Sequence, residues 1–441
     1  MKSITRREFA TGVAALSATA VGSQTRDANE RVRLGFIGVG NRGGQLLSAA
    51  LKNPDVEIVA LCDVYAPYLD RAQARLGRPA AVYADYRKLI ERPEVDAVIV
   101  ATPDHWHALQ TVDACDAGKD VYVEKPLSVT IVEGRKMVEA ARRNNRIVQV
   151  GLQRRSSGLY AELGELVRGG LIGKVTLAQC HRINNMYPNG IGRAPDGPAP
   201  DGLDWDTWLG PRPRRPFNPN IAPYKFRWWK AYSSQVGNWG VHYFDALRWV
   251  LGERAPVSVS AHGGRFAVDD DRDIPDTMEV IFEFASGRLL TFGQYEASGV
   301  PALRSGEVEL RGTLGTIYAG SNGYEVVADK GGQFQDWQPR LDTKQVKRQD
   351  GNLDDLHMRN FLDCVKSRKA PACDVEEGHL STVFAHLANI ALACRARIEW
   401  DPNAERVTSN RAANSLLHYR YRAPWHLSGS TAAAEARSKG I

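Results

Sequence analysis

Phe36-Ile37-Gly38-Val39-Gly40-Asn41-Arg42-Gly43 ends an apolar strand and opens a helix, and its G-x-G-x-x-G spacing decides how the chain is read. Gly38 permits the tight turn, Gly40 lets a pyrophosphate approach the backbone, and Gly43 allows the helix to lie close to the strand. The pyrophosphate would rest on the helix N-terminus, beside Asn41 and Arg42, where free N–H groups and the helix dipole favour an anion. Asp63 ends the next strand, twenty residues after Gly43. A carboxylate there accepts from a ribose 2′-hydroxyl and repels a 2′-phosphate, so the pattern predicts a dinucleotide site that prefers NAD over NADP. Arg42 could still bind a 2′-phosphate, which keeps NADP open.

Working outward, residues 31–152 alternate apolar strands (32–37, 57–62, 97–101, 120–123, 147–151) with amphipathic helices (43–52, 67–76, 86–91, 106–117, 131–144). That alternation predicts βαβ units and a parallel sheet. Beyond Gly151 the texture changes. Residues 184–230 are rich in Pro, Gly, Asn, Arg, Trp and Tyr with little periodicity, as in a long functional loop. Short strands such as 277–284 and 289–295 follow with turn signals, predicting a large open, mostly antiparallel sheet, and helices return at about 355–367 and 377–395. The expected organisation is α/β over 31–152, α+β over 153–426, and a disordered Ser/Ala/Gly-rich tail over 427–441.

The 441 residues are 43% hydrophobic and 24% charged, which excludes intrinsic disorder, a collagen-like chain and a multi-span membrane protein. The net charge of +6 is spread over 57 basic and 51 acidic residues, so no clustered basic footprint points to nucleic acid. Six Cys make no CxxC pair and are too sparse for a disulfide framework. Residues 1–25 read as an address: Thr5-Arg6-Arg7-Glu8-Phe9, an uncharged stretch to Thr25, and a cleavage site at Ala18-Thr19-Ala20. The twin arginines before Phe9 resemble a Tat signal, which is read by the export machinery and is not a membrane anchor. The expected location is therefore the periplasm or the exterior, reached in the folded state.

Thr102-Pro103-Asp104-His105-Trp106-His107 and Val121-Tyr122-Val123-Glu124-Lys125-Pro126, together with the glycine loop, resemble the glucose–fructose oxidoreductase/inositol dehydrogenase (Gfo/Idh/MocA) family. Glu124-Lys125-Pro126 is the most specific local mark. The resemblance extends from about residue 31 to 426 through Gln153-Arg154-Arg155, Trp205–Pro211, Phe226–Trp229 and Tyr421–Trp425. It implies a Rossmann domain followed by an α+β domain whose sheet covers the nicotinamide and often forms a homo-oligomer contact. It also implies that Lys125 and His242 are catalytic, with Thr102, Pro103, His107 and Glu124 beside the cofactor. The histidine takes a hydroxyl proton as hydride leaves the carbon, and the lysine donates to the same oxygen.

The chemistry behind that pair is general: an alcohol carbon gives up hydride only if its hydroxyl proton reaches a base, and a cationic donor steadies the oxygen. Many relatives carry Asp where this chain has Asn238, four residues before His242, so His242 should be the weaker base. Asn238 can still bond a sugar hydroxyl. Asp245 could orient His242 or serve a structural role. Gln153 and Arg154 at the domain junction, and Trp229 in the aromatic segment, are candidate substrate contacts. His105 and His107 flank Trp106 without a third ligand at a suggestive spacing, so no metal is expected.

The leading expectation is an NAD(P)-dependent oxidoreductase of a sugar or sugar derivative, with tightly bound cofactor and redox-neutral turnover. An NAD-dependent glycosidase or lyase working by transient oxidation is the alternative, and a non-catalytic sugar-binding protein is the third.

Overall fold

The computed structural model describes residues 31–334 and 338–427. Residues 1–30, with the predicted export signal, and 428–441, most of the predicted tail, lie outside the described residues. Leu427 itself is buried in the first core.

Six parallel strands build the first sheet: β1 (Val32–Ile37), β2 (Val56–Cys62), β3 (Ala81–Tyr83), β4 (Ala97–Val100), β5 (Asp120–Val123) and β6 (Val148–Val150). Their order, β3-β2-β1-β4-β5-β6, reverses direction between β1 and β4. Ligands bind outside the carboxyl ends of strands at such a switch point. The apolar runs of β4 and β5 are buried throughout, because helices cover both faces of the sheet. No sequence pattern marks β3: it is three residues long at the sheet edge, and Val82 points to solvent.

One of the covering helices comes from far along the chain. Leu353–Ser367 packs Met358, Phe361, Leu362 and Val365 against Leu34, Ile99 and Tyr122 of the first sheet. The contiguous 31–152 unit thus has its core completed from the C-terminal part.

The second sheet has ten strands among the described residues. Its centre is a parallel pair, Val175–Ile183 beside Leu289–Tyr295, and its other pairings are antiparallel. The alternation of Thr277–Glu283 puts Met278, Val280 and Phe282 inward and leaves Glu279 and Ile281 exposed. Helices Gly158–Arg168, Val241–Leu251 and Val375–Cys394 cover the inner face, and Phe244, Phe282, Phe292 and Phe384 pack there in edge and tilted contacts. The 184–230 segment holds its own small core of Trp208, Phe217, Ile221, Phe226 and Tyr232. Among the described residues no helix is long and apolar enough to cross a membrane.

Candidate active site

The glycine loop has the strain and the close approach that its spacing predicts. Gly38 sits at φ +85°, and a Cβ there would meet the Ala101 backbone at 2.8 Å. A Cβ on Gly43 would lie 2.0 Å from the Gly38 carbonyl oxygen, so the helix can come this near only with hydrogen at that position. The helix that follows, Asn41–Leu51, has no side-chain cap, which leaves its first N–H groups available to an anion. Asp63 binds the loop from the next strand: Oδ2 accepts from Val39 N–H at 2.8 Å and Oδ1 from Tyr65 N–H at 3.0 Å. Each oxygen retains a lone pair for a ribose hydroxyl. Burial raises the Asp63 carboxyl to about 6, against the lowering effect of those N–H donors.

Arg42 lines the cavity with its guanidinium already paired. Its Nε donates to Glu124 at 2.6 Å, and its two terminal nitrogens form a bidentate pair with Asp354 at 2.8 Å each. Two carboxylates already neutralise it, which weighs against its holding a 2′-phosphate.

A cavity of about 930 Å³ runs from this loop into the junction of the two domains. Gly38, Gly40, Asn41 and Asp63 line its dinucleotide end, with Thr102, Pro103, His107 and Glu124 farther in. Lys125, Gln153, Asn238 and His242 line the far end. Gln153 Oε1 and His242 Nδ1 are buried without a protein partner, as groups that a polar ligand would satisfy. The uncapped helix, the close-packed glycines and Asp63 together fit a dinucleotide.

At the far end Lys125 Nζ donates to Asn238 twice, to the main-chain oxygen at 3.0 Å and to Oδ1 at 2.9 Å. Asn238 stands on a π-turn, Val236–Gly240, that runs directly into the Val241–Leu251 helix. The wider turn alters the four-residue spacing expected of a regular helix, and Asn238 engages the lysine. Burial lowers Lys125 to about 8, although Glu124 and Asp104 favour its charged form. Burial and the nearby Lys125 push His242 well below the usual imidazole range, so it is neutral.

Two predicted substrate contacts, Arg154 and Trp229, and the site candidate Asp245 are held elsewhere. Arg154 pairs with Glu307 at 2.6 Å and lies over the Tyr243 ring. Trp229 donates to the Asn220 carbonyl and stacks under Arg215. Asp245 is buried between Arg155 and the Ser381 hydroxyl, a structural network within the second domain. None of the three lines the cavity.

The cavity wall instead uses Arg182, Asn184, Arg227, Trp228, Gln235 and Trp239. Arg182 lies 3.7 Å over the Trp239 ring, and Trp228 donates to Glu296 at 3.2 Å. Only the aromatic density of 184–230 signalled part of this set; Arg182 and Asn184 reach the cavity from the end of a second-domain strand. His105 and His107 use their rings on main-chain carbonyls, His105 on Trp208 and His107 on Pro126 and Thr102. Among the described residues no three His, Cys, Asp or Glu side chains are grouped to hold a metal.

Two family models match the chain: an oxidoreductase family NAD-binding Rossmann fold over residues 32–152, and the C-terminal alpha/beta domain of the same family over 214–390. An alpha-N-acetylgalactosaminidase of Shewanella oneidensis is 38% identical over 125 residues, 26% of this chain and 27% of that protein. The chain thus spans about a quarter of the length of that relative. The rhizopine catabolism protein MocA of Rhizobium meliloti is 28% identical over 263 residues, 58% of this chain and 69% of that one. A levoglucosan dehydrogenase solved with NADH and levoglucosan shares the fold, with a TM-score of 0.65 at 18% identity over 84% of this chain and 99% of that one. With the glycine loop, the Glu124-Lys125-Pro126 strand end and both domains accounted for, the chain belongs to the Gfo/Idh/MocA oxidoreductase family and carries its NAD-binding Rossmann domain.

Proposed function

We propose that this protein is an NAD-dependent oxidoreductase of a sugar or sugar derivative that retains its cofactor through redox-neutral turnover. The observation that carries the reading is one cavity lined at one end by the glycine loop and Asp63 and at the other by Lys125 and His242. NAD, held there, supplies a hydride acceptor and donor. Lys125 and His242 manage the proton and the developing charge at the reacting oxygen. Gln153, Asn184 and Arg182 offer hydrogen bonds, and Trp228 and Trp239 offer flat apolar faces. That mixture suits a carbohydrate, whose rings carry apolar faces and hydroxyl edges.

The retained cofactor has support in the 184–230 segment. Asp204 N–H donates to the Val64 carbonyl and Ala66 N–H to the Gly202 carbonyl, both at 2.9 Å, so this segment ties to the turn after β2. Leu203, Thr207 and Trp208 thereby line the cavity, joined by Trp425 from the C-terminal segment. Export in the folded state through the Tat machinery, read from Arg6-Arg7, would place the enzyme where no nicotinamide pool recycles it. The exposed outer face of the ten-stranded sheet, with Ile281 and Leu289, is the surface proposed for a homo-oligomer contact.

A second reading, an NAD-dependent glycosidase, is favoured by the relative named alpha-N-acetylgalactosaminidase. Incubation with paired aldoses and ketoses, and separately with aryl glycosides, distinguishes the two without added NAD. Coupled oxidation and reduction products support the oxidoreductase; aglycone release supports the glycosidase. Ligand-induced melting shifts with no product from either would leave only a sugar-binding protein.

A further inference from the structure

Arg182 stands beside the reacting end of the cavity. Its guanidinium carbon lies 3.7 Å from the centre of the Trp239 ring, and that ring is 6.1 Å from the His242 ring. Trp239 in turn follows Asn238, the partner of Lys125. Among the described residues Arg182 makes no ion pair and no side-chain hydrogen bond. The carboxylates that act on it through space are already taken: Glu296 by Arg272 and Trp228, and Glu307 by Arg154. Arg227, on the same wall, is held in the same manner. Its guanidinium lies over Tyr224 at 4.5 Å and Phe226 at 4.4 Å, and it donates to the Tyr224 carbonyl at 2.9 Å. Asp104 lies near Arg227 but is buried and bonded to the Ser233 hydroxyl.

The other two arginines that line this cavity are treated differently. Arg42 is paired with Glu124 and Asp354, and Arg87 with Asp85. Only Arg182 and Arg227 keep their charge without a carboxylate among the described residues. An aromatic ring attracts a guanidinium and fixes its orientation, but it carries no net charge and takes up none of the in-plane N–H donors. The donor fork of Arg182 is therefore held in place and left open to a ligand.

We propose that the substrate is a sugar carrying an oxyanion group, a carboxylate or a phosphate, which pairs with Arg182 while Arg227 adds to the positive field. This rests on the oxidoreductase reading of the cavity and narrows its substrate class. The guanidinium fork matches either oxyanion in a bidentate pair, and Asn184, on the same wall, offers an amide donor beside it. A neutral sugar seated there would strip water from Arg182 and return no charge to it. An anionic one replaces that water with a charge-assisted bond.

Calorimetric titration of the NAD-loaded, full-length protein tests this with matched sugars: glucose and galactose, their uronic acids, and the corresponding hexose phosphates. The acids or the phosphates should bind about tenfold or more tighter than the neutral sugars, as one charged hydrogen bond implies. That advantage should shrink as salt is raised. The tighter of the two anionic arms identifies the group. In Arg182→Gln the ratio of anionic to neutral affinity should fall by about tenfold or more, and Arg182→Lys should recover part of it. Neutral sugars that bind as tightly as their anionic partners overturn the proposal, and so does a panel in which no anionic sugar binds. Equal weakening of both classes in Arg182→Gln also overturns it, because Arg182 would then only brace Trp239. If that variant does not fold, the wild-type ratio and its salt dependence decide. Binding needs no turnover, so anionic sugars that bind but are never oxidised or reduced sink the oxidoreductase reading and leave this result standing. Turnover of neutral sugars with no preference for anionic ones does the reverse.

Discussion

Asp63 and Val39 join the two halves of the dinucleotide site: the carboxylate at the end of β2 accepts from the N–H inside the glycine loop at 2.8 Å. Removing that carboxylate takes away both a ribose acceptor and the brace of the loop. Asp63→Ala should weaken NAD binding about tenfold or more, one lost charged hydrogen bond being worth about 1.5–3 kcal/mol. It should gain no useful NADP affinity, because Arg42 stays with Glu124 and Asp354. Calorimetric titration with both cofactors checks this.

The same carboxyl sets a pH dependence. Burial raises it to about 6, so it is fully ionised only above that pH and accepts poorly below it. NAD affinity should therefore fall as pH drops through about 6. Stability carries the opposite sign: the folded state binds this proton more tightly than the unfolded chain, so the cost is absent at acid pH and complete above about 6. Asp63→Asn should abolish this step in the affinity profile; a step that persists unchanged in that variant would assign it to another group.

Two neighbouring glycines should respond differently to a methyl group. Gly43→Ala forces a Cβ against the Gly38 carbonyl, backbone on backbone, and should cost about 1–3 kcal/mol with loss of NAD binding. Gly44→Ala meets only the flexible end of Arg75 at 3.2 Å and gains helix propensity of about 1 kcal/mol. Its melting temperature should hold or rise. Thermal scans of both variants, with and without NAD, make the comparison.

Arg42 ties the glycine loop to the distant helix Leu353–Ser367 through Asp354, with Glu124 as its third anchor. Arg42→Ala strands two carboxylates at the domain junction and should destabilise by about 3 kcal/mol. Arg42→Lys should recover only part, because an ammonium cannot make the bidentate pair. Denaturant unfolding gives both values.

The sequence carried the local parts of this account and missed the parts made by tertiary packing. The glycine loop, β1, β2, β4 and β5 were legible because each rests on a few adjacent residues with a fixed period. Lys125 and His242 were legible through motif resemblance, and the cavity does hold both. The Lys125–Asn238 bond was not, because a π-turn over 236–240 replaces the regular spacing on which the prediction relied. Arg154 reads from sequence as a substrate contact at the junction, and Asp245 as an orienting partner of His242 or a structural group; Glu307, Arg155 and Ser381, distant in sequence, take them. Asp354 lies 312 residues from Arg42, a separation that no local pattern reveals.

The proposed function turns on a resident NAD in the cavity that joins the glycine loop to Lys125 and His242. The test is to purify the protein without added cofactor, denature it, and identify the released nucleotide by mass spectrometry. Near-stoichiometric NAD or NADH should be released. Protein that releases no nucleotide and takes up NAD only weakly would contradict it, and so would stoichiometric NADP.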